Sequence, residues 1–167
     1  MGHKFDHTPL LAPGRHFMTL AEIEGLCVTA FTGAARACRE KLFYALEGVV
    51  QNLLTAKVPC QIYADGSFFT EKPEPQDVDI IVAVDTSVMD KLTEDQFLAV
   101  EALNGEPAVG VDSLAITSYP RDHEHRGYGL DCDTLVEGYG VEHSGAWLKG
   151  FAVVRLWETD VGNRICR

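Results

Sequence analysis

Asp65-Gly66-Ser67-Phe68-Phe69-Thr70-Glu71-Lys72-Pro73-Glu74-Pro75-Gln76-Asp77-Val78-Asp79 is the stretch on which the reading of this chain turns. It runs into Ile80-Ile81-Val82-Ala83-Val84. That β-branched content, with Pro73 and Pro75 just upstream, predicts a strand over 77–84. Successive side chains on a strand point to opposite faces. Asp77 and Asp79 should therefore project together, while Val78, Ile80, Val82 and Val84 form the other, apolar face. Two adjacent carboxylates repel each other, and a divalent cation is the usual remedy. Upstream, 60–64 reads as a second strand that leads directly into Gly66-Ser67. Glycine there permits a tight turn with exposed backbone N–H groups, an arrangement that can hold phosphate.

Outward from this centre the chain alternates helix and strand. Residues 1–18 hold His3, His7, Pro9, Pro13 and Gly14 without periodicity and read as an irregular arm. Thr19-Leu20-Ala21-Glu22 matches a capping box, so a helix should start near Leu20. A longer helix is expected over 34–54. There Ala35, Cys38, Leu42, Leu46, Val49, Val50 and Leu53 recur every three or four residues, with Arg36, Arg39 and Lys41 between them. Together these helices occupy 19–56. Thr93 and Gln96 form a second capping box, predicting a helix over 94–103 that ends before Asn104-Gly105. Strands are expected at 108–117 and 151–157, and 121–150 reads as loop-rich with at most one short element. The fold class is α+β: one domain over 1–167, a small mixed sheet with helices on one face.

The Gly-Ser turn, nine intervening residues and an Asp-x-Asp leading an apolar strand resemble the nucleotidyltransferase superfamily with the DNA polymerase β-like palm, over residues 59–117. Pro13-Gly14-Arg15-His16 with Thr19-Leu20, and Asp65-Gly66-Ser67-Phe68 through Lys72-Pro73-Glu74-Pro75 to Asp77-Val78-Asp79, look more closely like a group of small uncharacterised bacterial proteins with this palm. The resemblance implies a third carboxylate on a neighbouring strand. Asp112 is preferred for it, with Asp131 and Asp133 as the alternatives. It further implies Mg²⁺ (or Mn²⁺) held by Asp77, Asp79 and Asp112, with a nucleoside triphosphate as donor. Gly66, Ser67 and the turn amides would hold its phosphates, and Lys72 is a further candidate. The expected activity is transfer of a nucleoside monophosphate to a hydroxyl of a protein side chain or small molecule. The rival expectation is a palm that has lost turnover and acts as a binding module in a toxin–antitoxin or phage-defence system.

Composition narrows the partners. Fourteen Lys and Arg against 25 Asp and Glu leave a formal charge of −11. The resulting field repels long nucleic acid, whose binding depends on phosphate neutralisation. No apolar run approaches the roughly 18 residues of a membrane span, and the start lacks a basic stretch followed by an apolar one, so a cytoplasmic location is expected. Five cysteines, none in a Cys-x-x-Cys pair, read as free thiols in a reducing compartment. Unlike antibiotic-modifying relatives, the chain carries no long C-terminal helical segment for an acceptor, and a partner protein would supply that surface. Asp122-His123-Glu124-His125 reads as an exposed acidic loop, its His-x-His short of the three or four ligands of a zinc site. Trp147, Phe151 and Trp157 read as core rather than as a base-stacking platform. No serine sits in a Gly-x-Ser-x-Gly elbow, which excludes that form of nucleophilic triad.

Overall fold

The computed structural model describes residues 6–126, 132–141, 144–145, 148–160 and 162, the side chains of 132–134 excepted. Five strands form one mixed sheet: β1 (Gly14–Phe17), β2 (Cys60–Asp65), β3 (Val78–Asp85), β4 (Val111–Ser118) and β5 (Gly150–Leu156), in the order β1-β5-β2-β3-β4. β2 runs antiparallel to both β3 and β5, whereas β3–β4 and β1–β5 are parallel. The parallel β3–β4 pair needs a crossover. It is supplied by α3 (Thr86–Met89) and α4 (Glu94–Gly105).

One sheet face is covered by α1 (Leu20–Glu24), a π-helical turn (Gly25–Thr29), α2 (Gly33–Thr55) and α4. Both expected capping boxes form, Thr19 with Glu22 and Thr93 with Gln96. The apolar stripe of α2, including Phe43, Leu46, Val50 and Leu53, packs on Ile62, Val78, Ile80, Val82 and Val84. Each fully buried side chain of this kind contributes about 1.5–3 kcal/mol. β3 is buried on its second face too, where Ile81 and Ala83 join Tyr63, Ile116, Phe151 and Val153.

That second face corrects the expectation of helices on one side only. α5 (Cys132–Gly138), inside the segment read as loop-rich, lays Val136 and Leu135 over it. Seven residues that end on a glycine are too few to print a helical period on the sequence. The arm is corrected as well, because residues 14–17 are a strand. Gly14 pairs with Gly150 and Phe17 with Val153. Four residues joined by backbone hydrogen bonds carry no alternation to read. A side chain at Gly150 would overlap the Ala12 carbonyl and the His16 ring, so this glycine lets the arm lie against β5.

α4 also runs two residues further than expected, through Asn104-Gly105. The Asn104 amide binds the backbone of Ala115 in β4, donating to its carbonyl (3.2 Å) and accepting from its N–H (2.7 Å). An edge strand's exposed backbone is thereby satisfied, which favours the longer helix. No helix among the described residues is long and apolar enough to cross a membrane.

Arg39, one of the charged residues between the apolar positions of α2, is completely buried. Its guanidinium donates to the carbonyls of Cys27 (3.0 Å), Phe68 (2.7 Å), Thr70 (2.5 Å) and Lys72 (2.6 Å) and stacks over the Phe31 ring at 3.7 Å. Replacing it by methionine roughly keeps the volume but strands four carbonyls, three of them buried. Arg39→Met should therefore lower the unfolding free energy by about 3 kcal/mol or more, read from urea denaturation.

Candidate active site

β2, β3 and β4 bring three carboxylates abreast. Asp65 at the end of β2 is the cross-strand partner of Asp79 in β3, and Asp79 is the partner of Asp112 in β4. Directly paired residues project from the same face. This is the face of Tyr63, Ile81 and Phe151, opposite the helical layer. Asp65 is 3% exposed, Asp79 half-buried and Asp112 exposed, so the row rises from the interior to solvent.

A cleft of about 290 Å³ opens over the inner end of this row. Asp65, Gly66, Asp79 and Lys149 line its base, while Leu135, Gly138 and Tyr139 from the end of α5 close it above. Gly66 has φ +86°, and a Cβ there would collide with the Asp79 carboxylate. Only glycine satisfies both constraints, which explains its place directly after a strand.

The Lys149 ammonium lies 2.7 Å from Asp65 Oδ2, with both side chains buried. The other oxygen, Oδ1, makes no hydrogen bond. Burial pushes the Asp65 carboxyl up to about 7, and the nearby Asp79 charge adds to this, against the opposing pull of Lys149 and the Gly66 amide. Tyr139 senses the whole row. Its hydroxyl is shifted upward first by burial, then by the charges of Asp79, Asp65 and Asp112.

The candidates named from sequence are distributed unevenly around this cleft. Asp79 lines it, and Asp112 stands beside Asp79 at the solvent end of the row. Asp77 is half-buried one residue before β3, outside the paired row. Ser67 is not among the residues that line this cleft. It opens a 3-10 turn (Ser67–Phe69), and its carbonyl accepts from the Thr70 N–H and hydroxyl. Lys72 enters the network through its carbonyl, held by Arg39. Asp131 and the Asp133 side chain lie outside the described residues.

Asp65, Lys149 and Tyr139 were not singled out from sequence. Asp65 was visible in principle, because strand parity sets it on the face of Tyr63, one residue ahead of the glycine. Lys149 and Tyr139 lie in the weakly periodic segment, where nothing local marks them.

Among the described residues, no group of three His, Cys, Asp or Glu side chains gathers around one point as a metal site. The three carboxylates stand abreast rather than convergent. His123 and His125 stack with Tyr119 in an exposed turn, ring centres 4.7 and 5.7 Å from the tyrosine. The Cys132 side chain and His143 lie outside the described residues, as does Trp147. Phe151 is buried as expected, but Trp157 is exposed, its ring beside the Arg155 guanidinium that also covers Phe17. Cys27, Cys38 and Cys60 are free thiols, and burial pushes Cys27 and Cys60 up to about 12.

A family model described as "Family of unknown function (DUF6932)" matches residues 3–159, which takes in every strand and helix described above. The chain belongs to this family. No curated protein and no solved structure matches it. In this DUF6932 protein the matched region therefore includes both the carboxylate row and Lys149.

Two outcomes follow for the site. Gly66→Ala should destabilise the fold and displace the Asp79 side chain, visible as lowered thermal stability and as shifted amide resonances at the start of β3. Asp65 has a folded pKa near 7 against about 4 in an unfolded chain, so the folded state holds the extra proton in that window. Its contribution to stability is complete below about pH 4 and is lost as pH rises through about 7. The stability difference between wild type and Asp65→Asn should fall across that range in chemical denaturation at stepped pH, then level off.

Proposed function

We propose that this DUF6932 protein is a metal-dependent nucleotidyltransferase built on a polymerase β-like palm. It moves a nucleoside monophosphate from a nucleoside triphosphate to a hydroxyl of a protein side chain or small molecule. The observation that carries the reading is the register of Asp65, Asp79 and Asp112 on adjacent strands beside a glycine turn that no other residue fits.

The donor set suits a hard cation: carboxylate oxygens on neighbouring strands, one of them (Asp65 Oδ1) buried without a hydrogen bond. Asp79 and Asp112, with Asp77 next along the chain, would hold Mg²⁺ or Mn²⁺. Bound there, the ion would supply Lewis-acid polarisation of phosphoryl oxygens and of the acceptor hydroxyl. The Phe69 and Thr70 amides are engaged within the turn by the carbonyls of Gly66 and Ser67, so phosphate contact would fall chiefly to Ser67. Tyr139 and Leu135, above the cleft, would limit water beside the reacting groups. The acceptor would come from a protein partner or a small molecule in the cytoplasm, since the −11 charge opposes long nucleic acid.

A second reading is a silent palm that works by association in a toxin–antitoxin or phage-defence system. It is favoured by the lysine already paired with one carboxylate of the row and by the lack of a convergent metal group among the described residues.

The test is incubation with α-labelled triphosphates, Mg²⁺ or Mn²⁺ and cell extract, scoring labelled macromolecules and small products. Asp77→Asn and Asp79→Asn should each reduce transfer roughly a hundredfold or more while triphosphate affinity changes modestly, because their role is concentrated in the transition state. Ser67→Ala should appear mainly as weaker binding. Wild-type protein that binds no triphosphate and labels nothing would leave the association reading.

A further inference from the structure

We infer that a cavity at the other end of the sheet's second face is a receptor for a small monocarboxylate with a flat apolar body, its carboxylate held by Arg155 and Gln61 and its ring laid against Trp157. The site is independent of the transferase reading and involves no metal.

The cavity has a volume of about 510 Å³, within the roughly 300–1,000 Å³ of small-molecule sites. Arg155 of β5, Gln61 of β2 and Ala83 of β3 line it and are cross-strand partners in one row. The row lies on the face of Tyr63, four residues along β2 and β3 from Asp65 and Asp79, or about 13 Å at roughly 3.3 Å per residue. Ala83 sits between Ile81 on its own strand and Ile116 opposite it on β4, and its small side chain leaves a hollow there.

Arg155 is exposed but held by rings. Its guanidinium carbon lies 3.9 Å from the Phe17 ring centre and 5.2 Å from that of Trp157. Among the described residues no acid pairs with it and no carbonyl accepts from it, although Asp85 and Glu158 line the same cavity. In a chain with 25 acids and 14 bases, this leaves a planar donor fork, suited to a carboxylate, without a protein acceptor. Gln61 supplies a second donor. The Tyr63 hydroxyl donates to its Oε1 at 3.2 Å, so the amide nitrogen, which can only donate, is the group left for a ligand. Directly paired residues stand about 5 Å apart at Cβ, close enough for both donors to meet one carboxylate. The indole of Trp157 is 56% exposed, and the turn that carries it is fixed by the Asp160 carboxylate, which accepts from the Trp157 backbone N–H at 3.0 Å. Asp85 and Glu158 set the charge of the ligand. Beside two carboxylates a polyanion is repelled, whereas a single negative charge on an apolar body is repelled least.

The test is titration of the ¹⁵N-labelled full chain with 3-phenylpropanoate, followed at the Trp157 indole N–H resonance, which Trp157→Phe identifies. The resonance should shift saturably, and the neutral 3-phenylpropanamide should bind about tenfold more weakly or worse, having lost the charge-assisted pair. Arg155→Met should weaken 3-phenylpropanoate to a similar degree, with folding checked by circular dichroism. Inorganic pyrophosphate should not displace the probe. No saturable shift, equal binding of acid and amide, or displacement by pyrophosphate would each overturn the inference, and so would unchanged affinity in Arg155→Met. Should that variant fail to fold, the acid and amide compared on wild type decide alone. None of these outcomes touches triphosphate transfer, which is scored separately.

Discussion

A single buried guanidinium joins the two halves of this molecule. Arg39 belongs to the helical layer, yet three of its four carbonyl acceptors, on Phe68, Thr70 and Lys72, lie in the segment linking β2 to β3. The fourth, on Cys27, ties the π-helical turn to the same point. A connection of this length, rich in proline and charge, has few ways to satisfy its own backbone. With its carbonyls gathered on one fixed cation, the turn after Gly66 acquires a definite shape, and β3 is delivered to β2 in the register that sets Asp79 opposite Asp65. Burial lowers the arginine's pKa, but guanidinium starts so high that the charge is retained.

On the other side of the sheet the controlling problem is repulsion. A fold that aligns three carboxylates across adjacent strands must compensate at least the innermost, and Lys149 does so from the position just before β5. The gradient of exposure along the row then has a physical meaning. The charge that cannot reach water has a lysine beside it, while the outermost is left to solvent. Tyr139, sitting over the cleft, completes an environment in which each added negative charge further disfavours ionisation of the next group.

Much of this architecture was legible in the residues themselves. The capping boxes at Thr19 and Thr93, the stripe of α2 and the β-branched run of β3 are signals repeated over a turn or more, and local physics suffices to read them. The glycine at 66 and the acid at 79 were likewise marked by turn chemistry and strand parity, whereas Asp112 was reached through the family resemblance. Signals failed where an element was short or held by backbone alone. β1 and α5 are of this kind, and both are stabilised by what they lie against rather than by their own composition.

The sequence by itself determined the class of the fold, the strands that carry the acids and the sign of the field around them, because periodicity, capping and charge are properties of neighbouring residues. Only the tertiary structure decided that Arg39 faces inward, that Asp65 rather than Asp77 joins Asp79 in the row, and that Lys149 closes it. Those outcomes depend on pairings between residues 14 to 84 positions apart along the chain, from Asp65 with Asp79 to Asp65 with Lys149. A contact of that span is set by register and burial, which no local pattern encodes.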